Sequence, residues 1–247
     1  YEIMNYKAIL QYEGTRYRGW QTQGNTENTI QGKLEALLTK MAEEPVEVNG
    51  SGRTDAGVHA AGQVISFRCK TKDSPEEICR YMNEYLPEDI AVLSVEEAAP
   101  RFHARLNAVR KTYVYRIWNA PVKNVFRRRF TTWIQKPLDL DAMEQAATLL
   151  CGTHDYRAFC SLKKFKKSTV RTIEKIEIGK MGQEIRISYT GDGFLYHMVR
   201  ILTGTLVEVG LGLRKPEEMT EILEGQDRKK AGRLMPPEGL TLENVEY

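Results

Sequence analysis

The sequence lacks the long hydrophobic runs of membrane proteins. No stretch approaches 18 consecutive apolar residues, which argues against a transmembrane helix. No charged segment followed by an apolar one opens the chain, so no secretion signal is predicted. Because 41% of the residues are hydrophobic and 28% are charged, wholesale disorder is also excluded. We therefore expect a cytoplasmic globular protein with no membrane partner.

Cysteine and histidine are both scarce, with four of each in 247 residues. No two cysteines are separated by only two residues, and the histidines are scattered along the chain. Structural zinc sites need such ligands in close pairs. A disulfide framework is equally unexpected in a chain of this length without an export signal. The sequence therefore predicts reduced, mostly buried thiols and no metal site.

Positive charge is concentrated in two segments. Residues 101–130 contain nine lysines and arginines and no acid, and residues 161–171 contain five, again without an acid. These segments carry +14, and since the whole chain carries +3, the remainder carries −11. Such asymmetry favours a polyanionic partner. Aromatic residues lie among the cations, which is typical of nucleic-acid binding, although the same rings could face a core while the cations face solvent.

The hydrophobic pattern predicts two α+β halves with mainly antiparallel sheets. We place the halves at 1–107 and 108–247. Predicted helices cover residues 28–42, 74–85, 139–150, 194–209 and 216–224, of which the fourth is apolar on most sides. Predicted strands cover residues 6–12, 46–48, 63–69, 90–95, 111–118, 172–178, 183–189 and 240–245.

One loop holds glycines and chemically active side chains together. Residues 50–62 contain four glycines, and Arg53, Thr54, Asp55 and His59 lie among them. Glycine lets the backbone turn sharply and lets a ligand approach closely. The spacing matches neither a phosphate-binding P-loop nor a dinucleotide fingerprint. From the residues alone, the loop is either an active-site loop or a structural turn in which Asp55 caps the backbone.

Residues 52–60, which read GRTDAGVHA, resemble the signature of the TruA family of tRNA pseudouridine synthases. Four further segments resemble family segments in the same order along the chain. They are YEGTRYRGWQ at 12–21, FHAR at 102–105 with KTYVYR at 111–116, HMVR at 197–200, and PEGL at 237–240. The resemblance spans nearly the whole chain.

The resemblance implies a fold, an activity and partners. The fold is the pseudouridine synthase fold, a pair of RRM-like or ferredoxin-like α+β halves. The first half carries the aspartate loop, and the second completes a basic active-site cleft. Family members form homodimers and isomerise uridine to pseudouridine in the anticodon stem-loop of tRNA, at positions 38 to 40. They use neither a cofactor nor a metal.

The resemblance also assigns four catalytic residues. Asp55 matches the catalytic aspartate, which either attacks C1′ of the ribose or removes a proton from C2′. Arg53 matches the arginine linked to displacing the target base. Tyr113 matches a tyrosine proposed to stack on the uracil, and it is also a candidate for taking the C5 proton. Arg200 matches a basic residue expected to pair with the aspartate.

RNA contacts are expected from cations of the basic segments and of the family-like segments. These residues are Arg16, Arg18, Arg101, His103, Arg105, Arg110, Lys111, Lys163, Lys164, Lys166 and Lys167.

Two alternatives remain at this stage. The first is a non-catalytic RNA-binding protein of the same fold. The second is a metal-dependent nuclease built on Asp55 and His59, which the absence of a second acid in the loop disfavours.

Overall fold

The computed structural model describes all 247 residues, which form two compact units. The first unit contains Tyr1–Val109 and Leu242–Tyr247, and the second contains Arg110–Thr241. The sequence-based division at residue 107 lies two residues before this boundary. It also assigned the last residues to the second half, whereas these residues fold with the first.

The first unit is a sheet with two helices, in which β1, β2, β3 and β4 pair antiparallel. The strand order is β4-β1-β3-β10, and β2 pairs with β3. The residues of β10 from Leu242 onward belong to this unit. The strands are β1 (Ile3–Tyr12), β2 (Val48–Gly50), β3 (His59–Lys70), β4 (Ile90–Glu97) and β10 (Leu240–Glu246).

Both helices of the first unit begin at a capping side chain. In α1 (Ile30–Ala42), the Thr29 side chain accepts a hydrogen bond from the Gly32 amide. In α2 (Pro75–Tyr85), the Ser74 side chain accepts one from the Glu77 amide. These bonds satisfy amides that have no partner within the helix, which explains why each helix starts where it does. The prediction for α2 is confirmed to within one residue, and α1 begins two residues later than predicted.

The second unit is a sheet with three helices. The strand order is β5-β9-β8-β7, with antiparallel neighbours, and the short β6 runs parallel to β5. The strands are β5 (Arg110–Asn119), β6 (Thr132–Ile134), β7 (Gly152–Asp155), β8 (Val170–Met181) and β9 (Glu184–Gly191). The helices are α3 (Leu140–Leu150), α4 (Met198–Gly210) and α5 (Glu218–Gly225).

Helix α4 forms the centre of the second unit. Every residue of α4 except Glu208 is buried, as its apolar sequence predicts. The predicted start at residue 194 is wrong by four residues. A turn precedes the helix, and His197 in this turn adopts a left-handed conformation with φ of 65°. The apolar Phe194 lies before the helix, where its ring packs edge-on against Tyr113.

The predicted α+β class with mainly antiparallel strands is confirmed. Two short strands, β6 and β7, were not predicted, and the strand predicted at 46–48 lies at 48–50 as β2. No helix is long and apolar enough to cross a lipid bilayer.

Candidate active site

Asp55 lies in the loop between β2 and β3, in a tight turn. The Val58 amide donates a hydrogen bond of 3.0 Å to the Asp55 carbonyl oxygen, which closes the turn. Gly57 has φ of 83°, a conformation that a type II turn requires at this position and that glycine adopts without strain. The turn leaves the side chain of Asp55 half-buried and that of Arg53 exposed.

Buried hydrogen bonds hold the residue before Asp55. The hydroxyl groups of Tyr12 and Thr54 are 2.7 Å apart, and the Trp20 amide donates to the Thr54 carbonyl oxygen over 3.0 Å. Burial raises the pKa of Tyr12 to about 12, so its hydroxyl stays protonated at neutral pH. Thr54 is therefore fixed through both its side chain and its backbone.

The glutamine at position 63 fixes the start of the same loop. The Ser51 hydroxyl donates to the Gln63 side-chain oxygen, and the Gln63 side-chain nitrogen donates to the Gly52 carbonyl oxygen over 3.0 Å. Both Ser51 and Gln63 are fully buried. A buried polar network with its partners in place restricts the loop to one conformation.

The segment that follows β1 lies directly against the loop. A Cβ atom on Gly14 would lie 1.9 Å from the Val58 carbonyl oxygen, so no other residue fits there without backbone movement. A Cβ atom on Gly19, which has φ of 92°, would lie 3.0 Å from the Thr54 carbonyl oxygen. The Gly14 amide donates to Nδ1 of His59 over 2.9 Å. His59 is buried and acts here as a structural acceptor.

Tyr113 lies on β5 of the second unit, opposite Tyr189 on β9. Its ring is half-buried and meets the Phe194 ring edge-on, with 5.3 Å between centroids and 87° between planes. Tyr189 is fully buried, and its hydroxyl lies 2.7 Å from that of Thr203 on α4. The Phe194 ring thus supports the half-buried Tyr113 ring from one side.

Arg200 is the third residue of α4 and is only 8% exposed. Its Nε donates a hydrogen bond of 2.7 Å to the Met235 carbonyl oxygen, and the Met235 amide donates to the Arg200 carbonyl oxygen over 3.3 Å. A Cβ atom on Gly204 would lie 1.9 Å from the Arg233 carbonyl oxygen. The stretch around residues 231–235 therefore lies flat on α4 and fixes the direction of the Arg200 guanidinium.

The segment 237–240 is held by β5. The Tyr115 hydroxyl donates to the Pro236 carbonyl oxygen over 2.6 Å and lies 2.6 Å from the Thr132 hydroxyl. A Cβ atom on Gly239 would lie 2.6 Å from the Tyr115 ring. The glycine of this segment is thus required for close packing on a buried tyrosine.

The cations predicted to bind RNA differ in their partners and in their exposure. Arg16 donates two hydrogen bonds to Asp89, and Arg110 donates two to Glu174, so both are engaged in ion pairs. Lys111 is half-buried. The remaining cations are exposed, namely Arg18, Arg101, Arg105, Lys163, Lys164, Lys166 and Lys167.

His103 differs from the other predicted RNA-binding residues. Its Nδ1 accepts hydrogen bonds from the amides of Arg105 and Leu106, at 3.1 and 3.3 Å. Burial, with the nearby Arg105 charge, lowers the pKa of His103 below its usual value. At neutral pH the imidazole is therefore uncharged, and it caps the turn that precedes β5.

No group of three or more His, Cys, Asp or Glu side chains is arranged to hold a metal ion. All four cysteines are free thiols, and Cys69 and Cys160 are buried. Burial raises the pKa of Cys69 to about 11, which makes this thiol unreactive at neutral pH.

A family model described as tRNA pseudouridine synthase matches residues 8–107 and 146–247 of this chain. The chain belongs to the tRNA pseudouridine synthase family. It is 47% identical to tRNA pseudouridine synthase A of a Bacillus species, over 98% of this chain and 99% of that protein. It is also 46% identical to the Brevibacillus brevis protein of that name, over 98% of both chains.

A third relative is tRNA pseudouridine synthase A 2 of Clostridium tetani, which is 42% identical over 98% of both chains. Membership of the tRNA pseudouridine synthase family, predicted from five short segments, is thereby confirmed.

The sequence alone did not identify the residues that hold the 52–60 loop of this synthase in place. Gln63 carries no motif, and its two hydrogen bonds become visible only in the structure. Gly14 and Gly19 lie in a segment that resembles the family, yet their close approach to Val58 and Thr54 joins positions more than 30 residues apart. The glycines in that segment were the only available signal.

Proposed function

We propose that the protein isomerises uridine to pseudouridine in the anticodon stem-loop of tRNA, at positions 38, 39 and/or 40, with Asp55 as the catalytic carboxylate. The observation that carries this proposal is the 52–60 loop. It places Asp55 half-buried in a tight turn whose flanking residues are fixed by hydrogen bonds and by close packing. Relatives named tRNA pseudouridine synthase A match the chain over nearly its full length.

The reaction exchanges one bond to the ribose for another. The N1–C1′ bond breaks, the uracil turns, and C5 bonds to C1′; C5 loses a proton and N1 gains one. The isomerisation is redox-neutral, so the proposal includes no cofactor and no metal. Asp55 acts either by attacking C1′ or by removing a proton from C2′, and both steps need the carboxylate ionised. Arg200 is the proposed ionic partner that favours this charged form.

The target base must leave its stack before the enzyme can reach C1′. Extruding a stacked base costs a few kcal/mol. Arg53 is exposed on the same loop as Asp55, and we assign it to the space that the base vacates. Tyr113 offers a ring already supported by Phe194, and stacking on such a face is worth about 1–3 kcal/mol per base.

The test of this proposal compares three proteins on an unmodified tRNA transcript. Pseudouridine is mapped by carbodiimide labelling and primer extension after incubation with wild type, Asp55→Ala or Asp73→Ala. Asp73 is a half-buried loop aspartate of the same unit and serves as the matched control. We expect product at positions 38–40 with wild type and Asp73→Ala, and none with Asp55→Ala.

Other outcomes would change the assignment. Product from Asp55→Ala would keep the enzyme class and overturn the catalytic role of Asp55. Tight tRNA binding without product from any of the three proteins would favour the non-catalytic RNA-binding alternative.

We also propose that the protein is a homodimer that works in the cytoplasm, where free thiols remain reduced. The second unit exposes an apolar group: Phe126 is 90% exposed, and Val122, Val125 and Trp133 are exposed beside it in sequence. Exposed aromatic and aliphatic residues next to arginines are typical of the centres of protein interfaces. Phe126→Asp should convert a dimer to a monomer in light scattering, whereas Tyr85→Asp should not.

A further inference from the structure

Tyr196 presents an open aromatic face in the turn before α4. Its ring stacks on the His197 ring with 3.7 Å between centroids and 24° between planes. The side of Tyr196 away from His197 faces no buried core, since the residue is 48% exposed. His197 holds this arrangement in a left-handed backbone conformation that is uncommon for a residue with a Cβ atom. The result is a supported ring with one face available.

The lysine loop, residues 161–169, is hydrogen-bonded to this ring pair at its first residue. The Ser161 hydroxyl lies 2.8 Å from Nδ1 of His197, and the Ser161 amide donates to the Tyr196 carbonyl oxygen over 3.3 Å. Lys163 and Lys164 follow two and three residues later, and both are exposed. The start of their loop is therefore anchored to the Tyr196–His197 pair.

The rest of the lysine loop is anchored as well. The Arg157 guanidinium lies 4.7 Å from the centre of the Phe165 ring, in the middle of the loop. At the far end, the Thr169 hydroxyl donates to the Asp155 carboxylate over 2.6 Å. The exposed lysines thus project from a loop that is held at three points.

The ring pair also lies close in sequence to the residues proposed for the reaction. Phe194, two residues before Tyr196, contacts the Tyr113 ring, and Arg200 follows four residues after it. A base held on Tyr196 would therefore lie near a uracil held on Tyr113. Neighbouring nucleotides of one strand have this relationship.

We propose that Tyr196, supported by His197, stacks on the base of a nucleotide adjacent to the target uridine, while Lys163 and Lys164 contact its phosphate. This subsite rests on the proposed function. An aromatic face can stack on any of the four bases. The lysine side chain is flexible, so its ammonium group can contact a phosphate from several directions. The subsite would thus hold the strand without reading its sequence.

The first test measures the dissociation constant for a synthetic anticodon stem-loop RNA, with Asp55→Ala present in every protein so that the RNA is not converted. Tyr196→Ala should weaken binding about 5- to 150-fold, the range expected for loss of one stacked base. Tyr196→Phe should bind as well as the parent, and Tyr196→Leu, which is apolar but has no aromatic face, should bind as poorly as Tyr196→Ala. Tyr85→Ala removes an exposed tyrosine that also packs on a ring, and should have no effect.

The second test identifies the stacked nucleotide. The same RNA is made with an abasic residue immediately 5′ or immediately 3′ of the target uridine. If Tyr196 stacks on one of these bases, Tyr196→Ala weakens binding to the intact RNA but causes no further loss with the corresponding abasic RNA. A double-mutant cycle of this kind isolates the pair.

The third test concerns the phosphate. The double variant Lys163→Gln and Lys164→Gln should reduce the slope of log affinity against log salt by about 0.7, the contribution of one phosphate contact to a single strand. The pair Lys229→Gln and Lys230→Gln removes two exposed neighbouring lysines elsewhere in the same unit and should leave the slope unchanged.

Three results would overturn the subsite. They are unchanged binding by Tyr196→Ala, equal losses from Tyr196→Phe and Tyr196→Ala, or the same loss from Tyr196→Ala on intact and both abasic RNAs. All three readouts measure binding rather than turnover. They therefore remain interpretable if the wild-type protein forms no pseudouridine, a result that would contradict the proposed function instead.

Discussion

The hydroxyl groups of Tyr12 and Thr54 lie 2.7 Å apart in the core of the first unit, and they join the end of β1 to the residue before Asp55. Tyr12 is 4% exposed, and Thr54 is 6% exposed. The position of the proposed catalytic carboxylate therefore depends on Tyr12, a buried side chain to which we assign no chemical step. Tyr12 is a positioning residue.

Tyr12→Phe should remove this bond without changing the shape of the core. Losing a buried hydrogen bond while one partner stays behind costs about 1–3 kcal/mol of unfolding free energy. We expect kcat for pseudouridine formation to fall about tenfold with little change in KM, because the carboxylate is misplaced rather than the RNA lost. Tyr6→Phe, on the same strand and stacked on Phe67, is the control and should keep kcat. An unchanged kcat in Tyr12→Phe would show that Thr54 alone fixes the turn.

Gly19→Ala should displace the aspartate loop. The added Cβ atom would lie 3.0 Å from the Thr54 carbonyl oxygen and 3.2 Å from the Ala56 amide nitrogen, at a φ of 92°. We expect a loss of about 1–3 kcal/mol in unfolding free energy and a fall in kcat of about 10- to 100-fold. Gly24→Ala is the matched control, since its Cβ atom would meet nothing within 4 Å. Urea unfolding and steady-state kinetics check both variants, and equal behaviour of the two would refute the clash.

Arg200→Lys should lower activity although it keeps the positive charge. Lysine has no atom equivalent to Nε, so it cannot donate to the Met235 carbonyl oxygen while its terminal nitrogen also acts elsewhere. We expect kcat to fall at least about tenfold, as measured by single-turnover pseudouridine formation. Arg214→Lys alters an arginine bound to Glu208 of the same helix and should have wild-type kinetics. If Arg200→Lys is fully active, only the charge matters at this position.

Glu184 should make the stability of the protein depend on pH in the acid range. Burial raises the pKa of Glu184, but hydrogen bonds from Arg186 and Arg127 outweigh this effect, so the pKa lies below its usual value. A depressed pKa contributes stability above the unfolded pKa of about 4.3, and this contribution is lost as the pH falls through the folded pKa.

The measurement compares urea unfolding of wild type and Glu184→Gln at several pH values. The variant should be less stable by about 1–3 kcal/mol at pH 7, and the difference should shrink below about pH 4. Glu174→Gln disrupts an exposed pair with Arg110 and should have little effect on stability at any pH, because solvent screens such pairs. A difference that does not vary with pH would mean that Glu184 acts through packing rather than charge.

Much of the fold follows from local chemistry that a sequence displays. The Ser74 and Asp139 side chains accept hydrogen bonds from the first turns of α2 and α3. The start of α2 was predicted from its capping residues, and that of α3 from the spacing of its apolar residues. The start of α4 was not predicted, because hydrophobicity cannot distinguish Phe194, which packs on Tyr113, from a residue inside the helix. A hydrophobic pattern reports apolar side chains, and a half-buried apolar residue before a helix looks the same as one inside it.

The candidate site shows the same division. The 52–60 loop could be recognised because its residues are consecutive. The hydrogen bond of Gln63 to Gly52, the approach of Gly19 to Thr54 and the bond of Arg200 to Met235 join residues that are distant in sequence. Such contacts depend on how elements pack, so no local pattern predicts them. The sequence thus identified side chains with chemistry, and the structure shows what holds them.

The return of the chain end to the first unit affects the order in which the protein can fold during synthesis. Residues from Leu242 onward lie beside β3, the Glu246 carbonyl oxygen accepts from the Val109 amide, and the Tyr247 hydroxyl donates to the Ala104 carbonyl oxygen. The whole second unit lies between these partners in the chain. Because domains form as they leave the ribosome, the second unit is complete before the unit that begins the chain. Strand β3, which follows the Asp55 loop, therefore gains its last neighbour only when translation has passed residue 246.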